Sequence, residues 1–272
     1  MIPDFTYLKN RYYFEGKLTA LQAMHVGSGF EGDETDATFA VARGKPYLPG
    51  SSIRGALRST VERILFTLDK PCCMLFAREL AQDRDIRCLT VRPDQLKQYT
   101  DRPDFNQQQF LKHIEDNPAL LCDVCQVFGS PLFASKIKIT DAFCTANDVN
   151  ARYGTGINRE TGTVESGVLY SYEVVEKDNK FEFELIAENM NDDDLGILSV
   201  GLLSMQSGDF WVGAKSAAGL GRCKLELENI KYLDKDMLTD FLVEGKKAEA
   251  VEKKPEIEPQ LKTWAKAYLE KE

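Results

Sequence analysis

A glycine-rich segment near the C-terminus, Gly213–Lys224, holds the residues whose types and spacing best suit chemistry. It contains three glycines, a serine and two well-placed cations, Lys215 and Arg222, between an aromatic run and a strand-like alternation. Glycine adopts positive φ angles and lets a ligand approach the backbone closely. A turn of this kind can direct several N–H groups toward one phosphate, with the cations beside it. The same pattern is typical of a structural hairpin turn, so the segment alone assigns no function.

A second segment with the same residue types begins at Pro49, about 160 residues upstream. Pro49 is followed by Ser51 and Ser52, either of which can cap a helix, and apolar residues then recur at helical spacing. Arg54 and Arg58 are one helical turn apart and therefore adjacent on the helix surface. Ordinary surface charge is the alternative for both arginines. Two distant segments of one kind indicate a shared polyanionic ligand.

Cysteine spacing predicts a metal site in the middle of the chain. Cys122 and Cys125 have the Cys-x-x-Cys spacing with which two thiolates on a tight turn share one tetrahedral ion. Further ligands are available in the same part of the chain: Cys72, Cys73, Cys88 and, in reserve, His113. We take Cys73 and Cys88 as the remaining ligands of a structural Zn²⁺, and Cys72 and His113 stay open as alternatives to either of them. The alternative is a set of reduced, partly buried thiols.

Apolar periodicity supplies the elements that must position these segments. Three strands and one buried helix are predicted at Arg11–Met24, Lys136–Cys144, Phe181–Ala187 and, for the helix, Leu195–Met205. Residues 151–175 have the pattern of a long hairpin that turns at Asn158–Gly162. With the helix after Pro49, this order predicts an α+β fold with a ferredoxin-like core, as in RNA-recognition motifs.

The chain is long enough to bury one large core. We predict one domain over residues 1–245, with a polar, irregular, cysteine-containing insertion at about 70–128 and the hairpin at about 151–175. Residues 246–272 are predicted to form a charged linker and a short C-terminal helix. Because that helix has an apolar stripe from Leu261 to Leu269, we expect it to dock on its own domain.

The composition restricts the class of protein. With 43% hydrophobic and 28% charged residues, the chain has the composition of an ordinary soluble protein. It has no apolar run long enough to cross a bilayer, and its N-terminus lacks the pattern of a signal peptide, so we expect a cytoplasmic protein without membrane contact. Seven cysteines without an export signal favour reduced thiols or metal ligands over disulfides.

The net charge of −9 argues against nucleic-acid binding. Its distribution weakens that argument, because residues 181–195 carry six acids and no base. The Gly-rich segment and the helix after Pro49 are locally basic. An acidic body with a basic groove can hold RNA, particularly when neighbouring subunits extend the groove.

Several motifs occur in the order found in one protein family. They are His25-Val-Gly-Ser-Gly, Tyr47-Leu-Pro-Gly-Ser-Ser-Ile-Arg-Gly-Ala-Leu-Arg58, Cys122-Asp-Val-Cys-Gln-Val-Phe-Gly-Ser-Pro131, Asn158-Arg-Glu-Thr-Gly-Thr163 and the Gly-rich segment. Over residues 10–228 the chain resembles the RAMP superfamily and, within it, the backbone subunits (CRISPR-associated family seven) of type III CRISPR effector complexes. The cysteine motif and the Arg-Glu-Thr-Gly-Thr turn narrow the resemblance to type III.

The resemblance implies a subunit that grips CRISPR guide RNA next to other subunits of the complex and inserts its hairpin, as a thumb, into the guide–target duplex. It implies RNA contacts from His25, Gly27, Ser51, Ser52, Arg54, Arg58, Arg152, Arg159, Lys215, Ser216, Gly219, Gly221 and Arg222. Structural support and general-base catalysis are the alternative roles of His25. The resemblance also favours zinc in the cysteine-containing insertion.

The resemblance further implies that an Asp between the first strand and the first helix cuts target RNA with a divalent metal, Mg²⁺ or Mn²⁺. Asp36 occupies that place, and Asp33 is the second candidate. RNA carries its own nucleophile, the 2′-hydroxyl, so one carboxylate that acts as a base or holds a metal ion suffices. We therefore predict a metal-dependent endoribonuclease that acts on target RNA in an antiviral complex.

Three alternatives remain. The first is a scaffold subunit of the same complex without nuclease activity. The second is a RAMP endonuclease that processes precursor CRISPR RNA; that class usually relies on a catalytic His, and the chain has only His25 and His113. The third is an unrelated nucleotide-binding enzyme, which the Gly-rich segment disfavours because it lacks the Gly-Lys-Ser/Thr ending of a P-loop.

Overall fold

The computed structural model describes residues 5–29, 35–75, 87–131, 133–146, 149–245, 248–253 and 256–271. Asp33, the second candidate for the catalytic acid, lies outside the described residues. The strands are β1 (Asn10–Ala20), β2 (Val41–Ala42), β3 (Lys45–Leu48), β4 (Ile137–Ile139), β5 (Ala142–Phe143), β6 (Asn150–Ile157), β7 (Val164–Val174), β8 (Lys180–Glu188), β9 (Phe210–Trp211), β10 (Arg222–Asp234) and β11 (Glu249–Lys253). The α-helices are α1 (Gly50–Thr67), α2 (Pro93–Thr100), α3 (Gln107–Asp116), α4 (Asp123–Phe128), α5 (Asp192–Ser207), α6 (Leu238–Val243) and α7 (Ile257–Leu269).

The framework is an antiparallel sheet with the strand order β11-β10-β1-β8-β4, and β9 pairs with β10. The four strands β10-β1-β8-β4 alternate with α1 and α5 along the chain in the βαββαβ order of a ferredoxin-like unit. This confirms the predicted α+β class and ferredoxin-like core. Two smaller sheets, β2-β3-β5 and the hairpin β6–β7, stand apart from the main sheet.

The core explains why these residues form strands and helices. In β8 every second side chain is buried (Phe181, Phe183, Leu185 and Ala187), as expected for a strand with one covered face. Helix α5 is apolar on nearly every side and packs against α1, where Leu57 and Val61 lie over Gly201. Its first turn carries the buried ion pair between Asp194 and Lys136, with a 2.6 Å N–O distance.

The insertion is more regular than the sequence predicted. The insertion at 70–128, expected to be irregular, contains α2, α3 and α4. Helices α2 and α3 bury few side chains (none in α2, and Phe110 and Ile114 in α3), and α4, although mostly buried, has only six residues. Such elements leave little apolar periodicity to detect.

The C-terminal part of the chain joins the domain. Residues 249–253, in the stretch expected to be a charged linker, form β11 on the edge of the sheet beside β10. Helix α7 docks on its own domain as expected, with Leu261, Ala265 and Tyr268 buried and Tyr268 packed over Gly196 of α5. Tyr268 also donates a hydrogen bond from its hydroxyl to Asp123 Oδ2 at 3.0 Å, which links α7 to α4.

Candidate RNA-binding surface and metal centre

The hairpin β6–β7 is fastened to the body by the segment that precedes β2. Ala37 forms a parallel bridge with Tyr172, and its carbonyl accepts a hydrogen bond from the N–H of Glu173 at 3.0 Å. The Glu173 carboxylate in turn accepts the N–H of Phe39 at 2.8 Å. Residues 35–39 therefore run along β7 as an additional edge, and this region is the root of the hairpin.

Asp36, the predicted catalytic residue, lies at this root and is bound to Ser171 of β7. The N–H and the hydroxyl of Ser171 donate to Asp36 Oδ2 at 2.6 and 3.0 Å. Hydrogen bonding lowers the pKa of the exposed Asp36 carboxyl, and the backbone N–H of Ser171 contributes most. A carboxylate that is ionised and held in one orientation suits cation binding better than proton abstraction.

Lys215 reaches the same root from the Gly-rich segment. Its Nζ lies 4.6 Å from the ring centroid of Tyr170 and 4.5 Å from that of Tyr172, within the range of a cation–π interaction. Alternation along β7 places both tyrosines on one face and Ser171 on the other. The tyrosines orient the Lys215 side chain at the root of the hairpin.

His25 lies beneath this layer and is a support residue. Its side chain is buried (4% exposed), Nδ1 donates to the carbonyl of Glu173 at 2.6 Å, and the ring meets that of Tyr172 edge-on. Its own carbonyl accepts the N–H of Ala214 at 2.9 Å. The buried imidazole positions the Gly-rich segment against β7, which favours the supporting role, and the implied RNA contact of His25 stays a prediction.

The Gly-rich segment folds as a tight loop that turns over the end of β1. Gly221 has a φ of 93°, and a Cβ there would lie 2.3 Å from the Val212 carbonyl oxygen, so this position requires glycine. Gly221 is buried, whereas Ser216 and Gly219 are exposed on the loop. Gly27 is also exposed and pairs with Phe39 at the start of the neighbouring loop.

A cleft of about 590 Å³ opens between the Gly-rich loop and the body end of the hairpin, at Arg152 of β6 and at Glu176 and Lys177 just after β7. Three predicted RNA-binding residues line it, Arg152, Gly219 and Arg222, together with Lys177 and Trp211. Arg222 donates from Nε to the carbonyl of Gly208 at 2.8 Å, and Arg152 pairs with Glu176 at 2.7 Å. Both guanidinium groups are thereby oriented at the wall of a locally basic cleft. Arg159 is exposed in the turn at the far end of the hairpin.

The segment after Pro49 lies elsewhere. Helix α1 begins at Gly50, whose N–H donates to Asp141 Oδ1 at 2.9 Å, so the expected capping role of Ser51 or Ser52 is wrong. Asp141 comes from the loop between β4 and β5, a partner about 90 residues away that local pattern does not reveal. Arg54 is exposed and lines a second cleft, of about 370 Å³.

The structure brings together the four cysteines chosen as metal ligands. The sulfur atoms of Cys73, Cys88, Cys122 and Cys125 all lie within 4.8 Å of one another, and all four residues are buried. The Sγ atoms of Cys73 and Cys125 are 3.4 Å apart, and those of Cys88 and Cys125 are 3.9 Å apart. A tetrahedral ion with sulfur ligands at 2.3 Å holds its sulfurs about 3.8 Å apart. The cluster therefore fits a tetrahedral metal such as zinc.

The two other candidate ligands, Cys72 and His113, lie outside this cluster. Burial raises the pKa of the neighbouring Cys72 thiol to about 12, so it is protonated at neutral pH. His113 lies on α3, where Nε2 is 3.3 Å from the hydroxyl of Tyr99.

Arg58 belongs to the cysteine cluster. Its guanidinium donates to Glu62 Oε1 at 2.7 Å, to the carbonyl of Gly129 at 2.7 Å and to Cys125 Sγ at 3.3 Å. Burial opposes its charge, but the negative charges of Cys125 and Glu62 outweigh that effect and raise its pKa. With its side chain 14% exposed and engaged on three sides, Arg58 packs against the cysteine cluster. It also lines the second cleft together with Arg54, so its implied phosphate contact stays a prediction.

Replacing Arg58 by alanine is expected to weaken metal retention. The change removes the cation beside Cys125 and leaves Glu62 buried without its partner. Loss of such an outer partner typically lowers metal affinity by about 10- to 100-fold, measurable by competition with a chromogenic chelator. Arg54→Ala, one turn earlier and exposed, is the matched control and should retain the metal. Unchanged metal retention with weaker RNA binding in Arg58→Ala would instead favour the phosphate contact.

The fold and the site define a class of protein: a ferredoxin-like α+β domain with a basic cleft beside a long hairpin and a buried cluster of four cysteines that could hold a metal. The family model described as the RAMP superfamily matches residues 17–224, about three quarters of the chain, and the chain belongs to that superfamily. Membership implies a CRISPR-associated RNA-binding function. No curated protein sequence matches the chain significantly. Among the described helices, none combines the length and apolarity needed to cross a membrane.

Sequence reasoning missed the residues that orient the predicted ones. They are Ser171 beside Asp36, Tyr170 and Tyr172 beside Lys215, and Trp211 in the cleft. The alternation of the return strand contained part of this signal, because Tyr170 and Tyr172 must share one face of β7. Which residues face them depends on contacts between segments far apart in sequence.

Proposed function

We propose that this protein is a guide-RNA-binding backbone subunit of a type III CRISPR effector complex and that it cleaves target RNA. The observation that carries the proposal is that Asp36 and Lys215 contact neighbouring residues on the two faces of β7, with a basic cleft next to the Gly-rich loop, in a chain of the RAMP superfamily. The root presents cations on one side and an ionised carboxylate at the edge of β7. This arrangement can bind a phosphate backbone and hold a divalent cation at one of its phosphates.

Asp36 would hold the divalent ion, Mg²⁺ or Mn²⁺, and the ion would stabilise charge that develops on the scissile phosphate. Mg²⁺ is commonly bound by one or two carboxylates together with substrate phosphates. This coordination suits Asp36, because among the described residues no group of three or more potential ligands other than the cysteines occurs. A cation at Asp36 would therefore depend on the RNA phosphate for further ligands. Ser171 fixes the carboxylate, and the RNA supplies the attacking 2′-oxygen.

We propose zinc as the metal of the cysteine cluster, in a structural role. Four thiolates with no open position are typical of structural zinc sites. The cluster joins residues from three separate parts of the insertion, and Arg58 connects it to α1. The ion would therefore fix the insertion against the helix that follows the first loop.

The inert-scaffold alternative has one observation in its favour. Asp36 Oδ2 already accepts two hydrogen bonds from Ser171, which a purely structural aspartate would also do. Processing of precursor RNA by a histidine is disfavoured, because His25 is buried and His113 lies on α3 in contact with Tyr99.

RNA binding tests the proposal directly. Lys215→Gln combined with Arg222→Gln should weaken binding by similar factors for different RNA sequences, because phosphate contacts carry no base information. The slope of log affinity against log salt should fall by about 1.4, or about 0.7 for each lost phosphate contact on a single strand. Lys262→Gln, an exposed lysine of α7, is the control. Co-expression with a CRISPR array should recover guide RNA with the parent protein, and its absence would contradict the proposal.

A further inference from the structure

The cleft between the Gly-rich loop and the body end of the hairpin contains an aromatic side chain that phosphate binding does not use. Trp211 of β9 lies in its wall with 37% of its surface exposed. Tryptophan is usually well buried, and a partly exposed indole inside a cleft offers a flat apolar face to a ligand. Pairing of Trp211 with Arg222 between β9 and β10 fixes the backbone that carries both residues.

The rest of the cleft is built from an apolar floor and a cationic wall. Ala23 and Leu220 line it and belong to a small buried cluster with Val174, against which Tyr172 packs. Arg152, Lys177 and Arg222 supply three positive charges, and Glu176 supplies one negative charge. The volume of about 590 Å³ is within the range of clefts that hold small organic ligands.

Apolar stacking surface next to positive charge is the combination with which proteins hold single-stranded nucleic acid. The charge attracts the backbone, and the aromatic ring stacks on a base of any type. A cleft that needed only to bind phosphate would gain nothing from an exposed indole, and a purely apolar pocket would gain nothing from three cations.

We propose that this cleft is a nucleotide subsite, in which Trp211 stacks on one base of bound RNA while Lys177 and Arg222 contact the flanking phosphates. The inference rests on the proposed RNA-binding function and specifies one contact within it. Gly219 stands at the rim, where a Cβ would meet no atom within 4 Å, so the cleft entrance is open on that side.

The intrinsic fluorescence of Trp211 provides the test. The chain has two tryptophans, so Trp264→Phe leaves Trp211 as the only reporter in the full-length protein. A single-stranded oligouridylate should quench that emission, whereas an abasic ribose-phosphate chain of equal length should bind more weakly and leave the emission almost unchanged. Uridine monophosphate alone shows whether the cleft takes a free nucleotide or needs a chain.

Affinity measurements complete the design. Trp211→Ala should weaken oligouridylate binding by about 5- to 150-fold, the usual range for one lost base–aromatic stack. Trp211→Phe should retain most of the affinity. Lys177→Ala should lower the salt slope by about 0.7 without changing the quenching at saturation. Phe105→Ala, an exposed aromatic residue of the insertion, is the matched control and should bind as the parent does.

Three results would overturn the subsite. Binding of Trp211→Ala within twofold of the parent means that no base stacks there. Equal quenching by the abasic chain means that only the backbone passes the indole. Oligouridylate binding that fails in all variants and in the parent contradicts the proposed function as well, whereas failure confined to the Trp211 measurements leaves that function intact.

Discussion

Cleavage of target RNA opposite this subunit is expected to fall by about 10²- to 10³-fold when Asp36 is replaced by asparagine, the range typical for loss of one group that stabilises charge in the transition state. Asparagine keeps an oxygen that can accept the bonds from Ser171, so the root of the hairpin should keep its shape. Guide and target binding should stay almost unchanged. Gel analysis of the assembled complex with labelled target gives both quantities.

The products identify the chemistry. Attack by the 2′-oxygen leaves a 2′,3′-cyclic phosphate and a 5′-hydroxyl, and a target with a 2′-deoxy sugar at the scissile position should resist cleavage. Asp33→Asn is the matched control and should cut normally. Cleavage that persists in Asp36→Asn and disappears in Asp33→Asn would move the role by three residues. A parent complex that binds target and never cuts it would favour the inert scaffold.

The pH dependence of the cleavage rate shows whether the Asp36 carboxylate takes part in the reaction. Ser171 lowers the pKa of Asp36, so the ionised form is lost only when the pH falls through that lowered value. Removing the hydroxyl in Ser171→Ala should raise this pKa and move the acid limb of the rate profile to higher pH. An acid limb that does not move would mean that a different group sets it.

Replacing Cys122 by serine is expected to release the metal and to loosen the insertion while the main sheet persists. Binding of a structural zinc ion contributes on the order of 10 kcal/mol to the folding of small metal domains, so the local effect is large. Hydrogen exchange should therefore accelerate in residues 87–128 and stay slow in β1, β8 and β10. Metal analysis should fall from one equivalent to near zero.

Cys72→Ser provides the control for this experiment. Cys72 is buried beside Cys73 but outside the cluster, so the variant should keep its metal. A parent protein purified under reducing conditions without near-stoichiometric zinc would show that the four residues are reduced thiols only.

The sequence was sufficient for the framework because the sheet strands obey simple periodicity. Alternation in β8 and the apolar register of α5 identify both elements and the faces that they bury. The four metal-ligand candidates could also be identified from the sequence, since Cys-x-x-Cys spacing limits the search to a few partners in one insertion. Local pattern and tertiary structure agree at these places.

The contacts of Arg58 could not be predicted from the sequence. Helical spacing places Arg58 next to Arg54, which suggested a shared phosphate site. Both arginines line one cleft, but Arg58 also donates hydrogen bonds to Gly129 and Cys125 from the cysteine-containing part of the chain. The contact of Asp36 with Ser171 joins residues 135 positions apart. Periodicity describes which face of an element is apolar, and it does not describe which distant loop covers a polar residue.

The position of α7 in the chain has a consequence for biosynthesis. Helix α5 is apolar on nearly all sides, and one of those sides, at Gly196, is covered by α7, which follows every other element in chain order. During synthesis the residues of the sheet, the hairpin and the four-cysteine cluster are all made before helix α7. The nascent domain therefore passes through a stage with an open hydrophobic face, a state prone to aggregation. A chain cut before residue 257 would stay in that state.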